Sequence, residues 1–216
     1  MRLFITGTDT GVGKTHFTCM LLRALVATET SAVGFKPICC GDRADALGIR
    51  ESSAPTPELE AINPIWLRTP ASPDAAAIIE NRRIECPDLV ARFERLAEQY
   101  EHVLVEGAGG WAVPMSETQR MSDLAVALDL PVLLVVDNRL GALNHTLLTI
   151  EAIGRDGLTC CGIVLNHTQD ERDIASVTNR QILERHLPED VPILMELLHA
   201  DDELPDLEAV VDAVDE

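Results

Sequence analysis

The chain has 216 residues, 46% of them hydrophobic but only 3% aromatic, and a net charge of −19 at pH 7. That length suits one well-buried α/β domain, or at most two small ones, with a core drawn from Leu, Val, Ile and Ala. The acidic balance excludes a general affinity for nucleic acid or anionic membrane, and no apolar run reaches the length of a membrane span.

The first apolar run, 2–6, leads into GTDTGVGKT at 7–15 and then into a helix-like stretch at 14–27. A buried strand, a glycine-rich turn and Lys-Thr opening a helix form the pattern of a phosphate-binding loop. Small residues let backbone amides face a triphosphate, Lys14 supplies a point charge to the β/γ-phosphates, and the Thr15 hydroxyl can ligate Mg²⁺. The spacing departs from a strict GxxxxGK[ST], because Thr8 stands where the first glycine is expected and Gly7 lies one residue earlier. A nucleotide site is expected here.

The second run, 32–35, ends in GFKPICCGDRADA at 34–46. Strand carboxyl ends in an open α/β sheet face the ligand crevice, so Lys36, flanked by Phe35, Pro37 and Ile38, is expected to point toward the phosphates. Asp42 and Asp45 follow on a loop or a first helical turn, and either could complete a Mg²⁺ site with Thr15 and Glu106. Residues 52–75 are rich in Pro and Ser and fit no period, which suits a lid or substrate-facing segment, or else a solvated surface excursion.

A helix predicted at 87–99 precedes HVLVEGAGG at 102–110. A carboxylate ending a buried strand beside a phosphate loop suits Mg²⁺, which points to Glu106. Gly107, Ala108, Gly109 and Gly110 would let backbone approach the γ-phosphate closely. After the apolar run 131–136 comes DNRLGALNHT at 137–146, where a helix starting near Gly141 either offers amides to a carboxylate or makes an ordinary capped turn. Helices are predicted over 142–155 and 172–186, and strands over 160–165 and 191–195. Asn166, ending the strand GIVLN, is placed either to hydrogen-bond a purine or to cap a turn. The acidic tail from Asp201 reads as a short surface helix.

Strand-length runs alternating with amphipathic helices predict a doubly wound, mainly parallel α/β sheet, and no linker divides residues 1–216. The six cysteines include the adjacent pairs Cys39-Cys40 and Cys160-Cys161 but no CxxC, so reduced, mostly buried thiols in a cytoplasmic protein are expected. The first residues enter a strand directly, and no signal peptide is expected.

GTDTGVGKT, GFKP, NPIWL with ASP, VEGAGGW and LGALNHTLLT, in this order, resemble the dethiobiotin synthetase family across roughly residues 1–170. The resemblance implies a phosphate-loop NTPase fold and a homodimer with substrate at the subunit interface. It also implies carboxylation and ring closure of 7,8-diaminononanoate with CO₂ and ATP. Its implied phosphate contacts are Gly11, Val12, Gly13, Lys14, Thr15 and His16, with Thr15, Asp45 and Glu106 around Mg²⁺. Lys36 matches the catalytic lysine and Thr10 lies beside the carbamate. Cys40 stands at a substrate-contacting serine position. Leu140, Gly141, Ala142, Leu143 and Asn144 of the partner subunit would receive the substrate carboxylate, and Asn166 with His167 would face adenine.

The segment between Lys36 and Asp45 is shorter than the family pattern. Asp74 falls where a His often follows Ser-Pro, and Leu198-His199-Ala200 replaces a proline-containing turn. A nucleotide-switched partitioning ATPase of the same fold is the alternative. Such proteins commonly carry a second lysine early in the loop, where this chain has Thr8, Asp9 and Thr10.

Overall fold

The computed structural model describes residues 1–199 and 207–215. In chain order the elements are β1 (Arg2–Gly7), α1 (Lys14–Ala27), β2 (Ala32–Phe35), β3 (Ile38–Cys40), α2 (Ala44–Ser52), α3 (Leu59–Ile62), β4 (Ile65–Leu67), α4 (Pro73–Ile79) and α5 (Cys86–Gln99). There follow β5 (His102–Glu106), α6 (Met121–Leu128), β6 (Val132–Asp137), α7 (Ala142–Arg155), β7 (Cys160–Asn166), α8 (Ile174–His186), β8 (Ile193–Leu197) and α9 (Leu207–Asp215).

Six strands form a parallel sheet in the order β2-β5-β1-β6-β7-β8, and β3 pairs with β4 in a separate two-stranded parallel sheet. The central strands are near-continuous Val, Leu and Ile because helices cover both faces of a parallel sheet. β1, β5, β6 and β7 accordingly have interiors with almost no exposed surface. Right-handed crossovers place helices on opposite faces when successive strands are added in opposite directions. α1, α2 and α9 therefore lie on one face, while α5 to α8 cover the other. The direction reverses around β1, which puts the turn after β1 at the crevice where such sheets bind ligands.

The predicted helices at 14–27 and 142–155 coincide with α1 and α7. β8 begins two residues later than predicted, at Ile193. Val191 N donates to Pro188 O at 3.1 Å in a turn, and Pro192, which has no N–H to give a ladder, contributes only its carbonyl to Ile163 N.

Residues 52–75 are not structureless. They include α3, β4 and the start of α4, and the pairing of β4 with β3 holds this excursion against the site. α2 and α6 also lie outside the predicted helices. Of the expected surface helix in the tail, 201–206 lie outside the described residues, as does Ala200. α9 packs on β7 and α1, and its Val210 is fully buried. All six cysteines are free thiols, five of them buried and Cys40 half-buried. Among the described residues no helix is long and apolar enough to cross a membrane.

Candidate active site

The phosphate-loop geometry follows from where β1 must stop. Gly7 is the last residue of a strand paired on both edges, and the chain turns there and starts α1 at Lys14. The turn uses Gly11 at φ 76° and Gly13 at φ 95°, backbone that side-chain-bearing residues rarely adopt. At Gly13 a Cβ would also run into the Asn166 amide, whose Nδ2 donates to Val12 O at 2.9 Å. The end of β7 is thereby tied to the loop through the Asn166 amide.

Gly13 provides no side-chain cap for α1, so its first-turn amides remain available to an anion. A cavity of about 230 Å³ opens at this point, lined by Thr10, Gly11, Gly13, Lys14, Thr15, His16, Lys36, Asp45 and Gly109. Lys14 is buried and folds back to donate to Asp9 O at 2.8 Å. Burial, with the nearby Lys36 charge second, lowers its pKa to about 8.

Behind the loop lies an ionic cluster in which Lys36 and Glu106 are buried and Asp45 is half-exposed. Glu106 ends β5 with no exposed surface, and its Oε1 accepts from Lys36 Nζ at 2.6 Å and from Thr15 Oγ1 at 2.7 Å. Lys36 Nζ also sits 3.1 Å from Asp45 Oδ2 and donates to Gly107 O at 3.3 Å. Burial opposes the Lys36 charge, but the Glu106 and Asp45 carboxylates outweigh it and raise its pKa. Asp45 responds in the opposite sense. Its burial would raise the pKa, yet the Lys36 ammonium holds it below the ordinary carboxylate value.

Asp42 and Asp45 are placed differently. Asp45, in the first turn of α2, joins Lys36, whereas Asp42 Oδ1 accepts from Ala44 N at 3.0 Å. Arg43, between them, turns away to Asn63 and stacks over Trp66. Asn63, the first residue of NPIWL, supports the site. Its Nδ2 donates to Lys36 O at 2.8 Å, while Lys36 N donates to Ile62 O at 2.9 Å. The aperiodic excursion thus clamps the backbone of Lys36. Its signals in sequence are the Asn63-Pro64 pair after a short apolar run and the NPIWL motif that begins there.

The donor set suits a hard divalent cation: a Thr hydroxyl and two carboxylates, with Glu106 Oε2 buried and without a hydrogen-bond partner. Among the described residues no three or more His, Cys, Asp or Glu form a metal cluster. A site with so few protein ligands fits Mg²⁺, which usually shares its shell with water and substrate phosphates.

A second cavity, about 460 Å³, adjoins the cluster and is lined by Thr10, Lys36, Ile38, Cys39, Cys40, Asp42, Asp45, Pro70, Ala71, Ser72, Pro73, Ala108, Gly109 and Val113. The structure therefore brings Thr10, Lys36 and Cys40 to one space, next to Ala108 and Gly109 from the Gly107-to-Gly110 turn. Gly109 is again left-handed, at φ 70°, and a Cβ there would lie 2.8 Å from Val113. Pro70–Pro73, within the 52–75 excursion, forms one wall of this cavity.

The remaining predicted residues lie elsewhere. Leu140, Gly141, Ala142, Leu143 and Asn144 are not among the residues lining this cavity in the same chain. Leu140 is 76% exposed, Gly141 begins α7 at φ 96° without a side-chain cap, and Ala142 is buried. His167 is buried in a polar network, 2.6 Å from Glu196 Oε1 and 3.2 Å from Asn138 Nδ2. It lines a separate cavity of about 200 Å³ with Asp137, Arg139, Thr168 and Arg172. Asn138, from DNRLGALNHT, holds this network together with Asn179 and Glu196, which carried no motif.

A family model described as an AAA domain (AAA_26) matches residues 1–202. Among solved structures, the cell division ATPase MinD of Pyrococcus furiosus covers 99% of this chain and 88% of its own, with a TM-score of 0.56 and 15% identity, a likeness of fold. The ATP-dependent dethiobiotin synthetase BioD of Anaeromyxobacter dehalogenans (strain 2CP-C) is 45% identical over 194 residues, 84% of this chain and 87% of that protein. The ATP-dependent dethiobiotin synthetase BioD of Akkermansia muciniphila is 46% identical over 203 residues, 94% of each chain. With that identity sustained over nearly its whole length, the chain belongs to the ATP-dependent dethiobiotin synthetase family.

Proposed function

We propose that this chain, as a single domain, is an ATP-dependent ligase that converts 7,8-diaminononanoate and CO₂ to dethiobiotin, with release of ADP and phosphate. The observation that carries this reading is the placement of Lys36. It sits between a phosphate loop and a mostly apolar cavity large enough for an aliphatic diamine.

One substrate amine attacks CO₂, forming an N–C bond and losing a proton to give a carbamate. A carbamate oxygen then takes the γ-phosphoryl group as ADP leaves. The second amine attacks the carbonyl carbon of the mixed anhydride and loses a proton, phosphate departs, and the ureido ring closes. No protein nucleophile is required, so the chain's contribution is positioning and stabilisation of negative charge. Lys14 and the α1 amides hold the phosphates. Lys36 stabilises the carbamate and the transferring phosphoryl, and Thr10 and Cys40 contact the carbamate side.

Thr15, Asp45 and Glu106 would hold Mg²⁺, which when bound neutralises phosphate charge. Asn166 and His167 would face the base of the nucleotide. In a homodimer, Leu140 to Asn144 of a second copy complete the cavity and offer the uncapped start of α7 to the substrate carboxylate. The exposed Leu140, just before α7, and Leu148 within it favour such a contact. Buried free thiols fit a reducing cytoplasm.

The test is product analysis by mass spectrometry after incubation with 7,8-diaminononanoate, bicarbonate, ATP and Mg²⁺. Dethiobiotin and phosphate should form together, and only with the diamine present. Phosphate release that ignores the diamine would instead favour a nucleotide-switched ATPase.

A further inference from the structure

Lys36 borders both cavities, yet its ammonium rests on the carboxylates of Glu106 and Asp45. Its backbone is the immobile part, held by Ile62 O and by the Asn63 amide. The four-carbon stem is the movable part, and the space on its other side is the one lined by Thr10 and Cys40. Glu106 is fully buried, so its charge must always have a cation. Its Oε1 is shared between Lys36 and Thr15, whereas Oε2 has no partner. The carboxylate is thus neutralised but not saturated.

We propose that Lys36 is the resident cation of the Glu106–Asp45 pair in the metal-free protein. On this reading it yields that place when a divalent cation binds, its ammonium then turning into the cavity beside Thr10 and Cys40. One lysine thereby has two posts. In the first it is a positioning residue that keeps two metal-binding carboxylates together, and in the second it reaches the reacting carbamate. Full electrostatic reach into the substrate cavity then exists only after the metal is loaded, which discourages abortive chemistry on an incomplete site. The inference rests on the assignment of Thr15, Asp45 and Glu106 to Mg²⁺ and is indifferent to which amine is carboxylated.

Mn²⁺ titration followed by electron paramagnetic resonance, without nucleotide or diamine, tests it directly. Lys36→Met removes the competing ammonium and should bind Mn²⁺ at least about tenfold more tightly than wild type. It should also melt below wild type in EDTA and recover that difference in Mg²⁺. The recovery should vanish when Glu106→Gln is added. Equal or weaker Mn²⁺ affinity in Lys36→Met would overturn the inference.

If Lys36→Met does not fold, the wild-type chain labelled with ζ-¹⁵N lysine carries the test. Its Lys36 resonance, assigned by its loss in Lys36→Arg, should shift on saturation with Mg²⁺ and ADP. A resonance that stays in place overturns the inference. These readouts stand apart from the product assay: a chain that makes no dethiobiotin can still show the exchange, and an unchanged affinity would leave the ligase reading intact.

Discussion

Binding of a nucleoside triphosphate at pH 8.5 should draw a proton onto Lys14. Burial, followed by the Lys36 ammonium, lowers this lysine from 10.5 to about 8. At pH 8.5 such a group is charged in roughly a quarter of molecules, so a bound phosphate that restores the full charge takes up roughly three quarters of a proton. At pH 7 the same arithmetic gives roughly a tenth. Affinity should therefore fall with pH above 8, toward tenfold per unit.

The stability of the nucleotide-free chain moves the other way. Because the folded pKa lies below the unfolded one, Lys14 costs stability below pH 8. That cost is relieved as pH rises from about 8 toward 10.5. The assay is calorimetry with Mg²⁺ and a non-hydrolysable ATP analogue, in two buffers of different ionisation enthalpy. At pH 8.5 the phosphates are already above their own titration range, so the uptake reports the lysine. A measured uptake near zero at pH 8.5 would refute the argument, since Lys14 would then be fully charged before phosphate arrives.

Glu106→Gln keeps the shape of the cluster but removes the charge that Lys36 and Thr15 engage; turnover should fall by about a hundredfold or more, with the fold retained by circular dichroism. A variant turning over at the wild-type rate would remove Glu106 from the metal side. Gly13→Ala places a side chain at φ 95° against Asn166 and should lose more than about 1 kcal/mol in urea denaturation, together with nucleotide binding measured by calorimetry. Lys36→Met, assayed in saturating Mg²⁺, should still bind the ATP analogue but form dethiobiotin at least about a hundredfold more slowly, with Lys36→Arg giving only partial rescue. Near wild-type product formation by Lys36→Met would sink its proposed role in phosphoryl transfer.

The central strands and the helices α1, α5, α7 and α8 were legible because their signal is local. A strand buried on both faces needs a run of Val, Leu and Ile, and an amphipathic helix repeats every 3.6 residues. The phosphate loop was legible for a similar reason, since its glycines, Lys14 and Thr15 lie within nine consecutive residues and serve a fixed backbone shape. β3, β4, α2, α3, α4 and α6 are short, three to nine residues each. Segments of that length have too few turns or alternations to raise a period above Pro- and Ser-rich surroundings, and their stability comes from what they pack against.

The ionic cluster was half visible. Lys36 and Glu106 could each be placed at a strand end, but their pairing spans 70 residues, that of Thr15 with Glu106 spans 91, and the Asn166 tie to Val12 spans 154. Nothing in local composition reports which strand lies beside which. The order β2-β5-β1 makes neighbours of Lys36 and Glu106 and places Thr15 against them. The different placement of Asp42 and Asp45 has a related ground. Both are carboxylates on one short connection, and only the direction in which α2 leaves β3 turns Asp45 toward Lys36 while Asp42 caps the turn. Residue type and spacing thus carried the chemistry this chain can perform, whereas long-range packing decided which of those groups meet, because a buried charge is stable only where the fold brings it an opposite one.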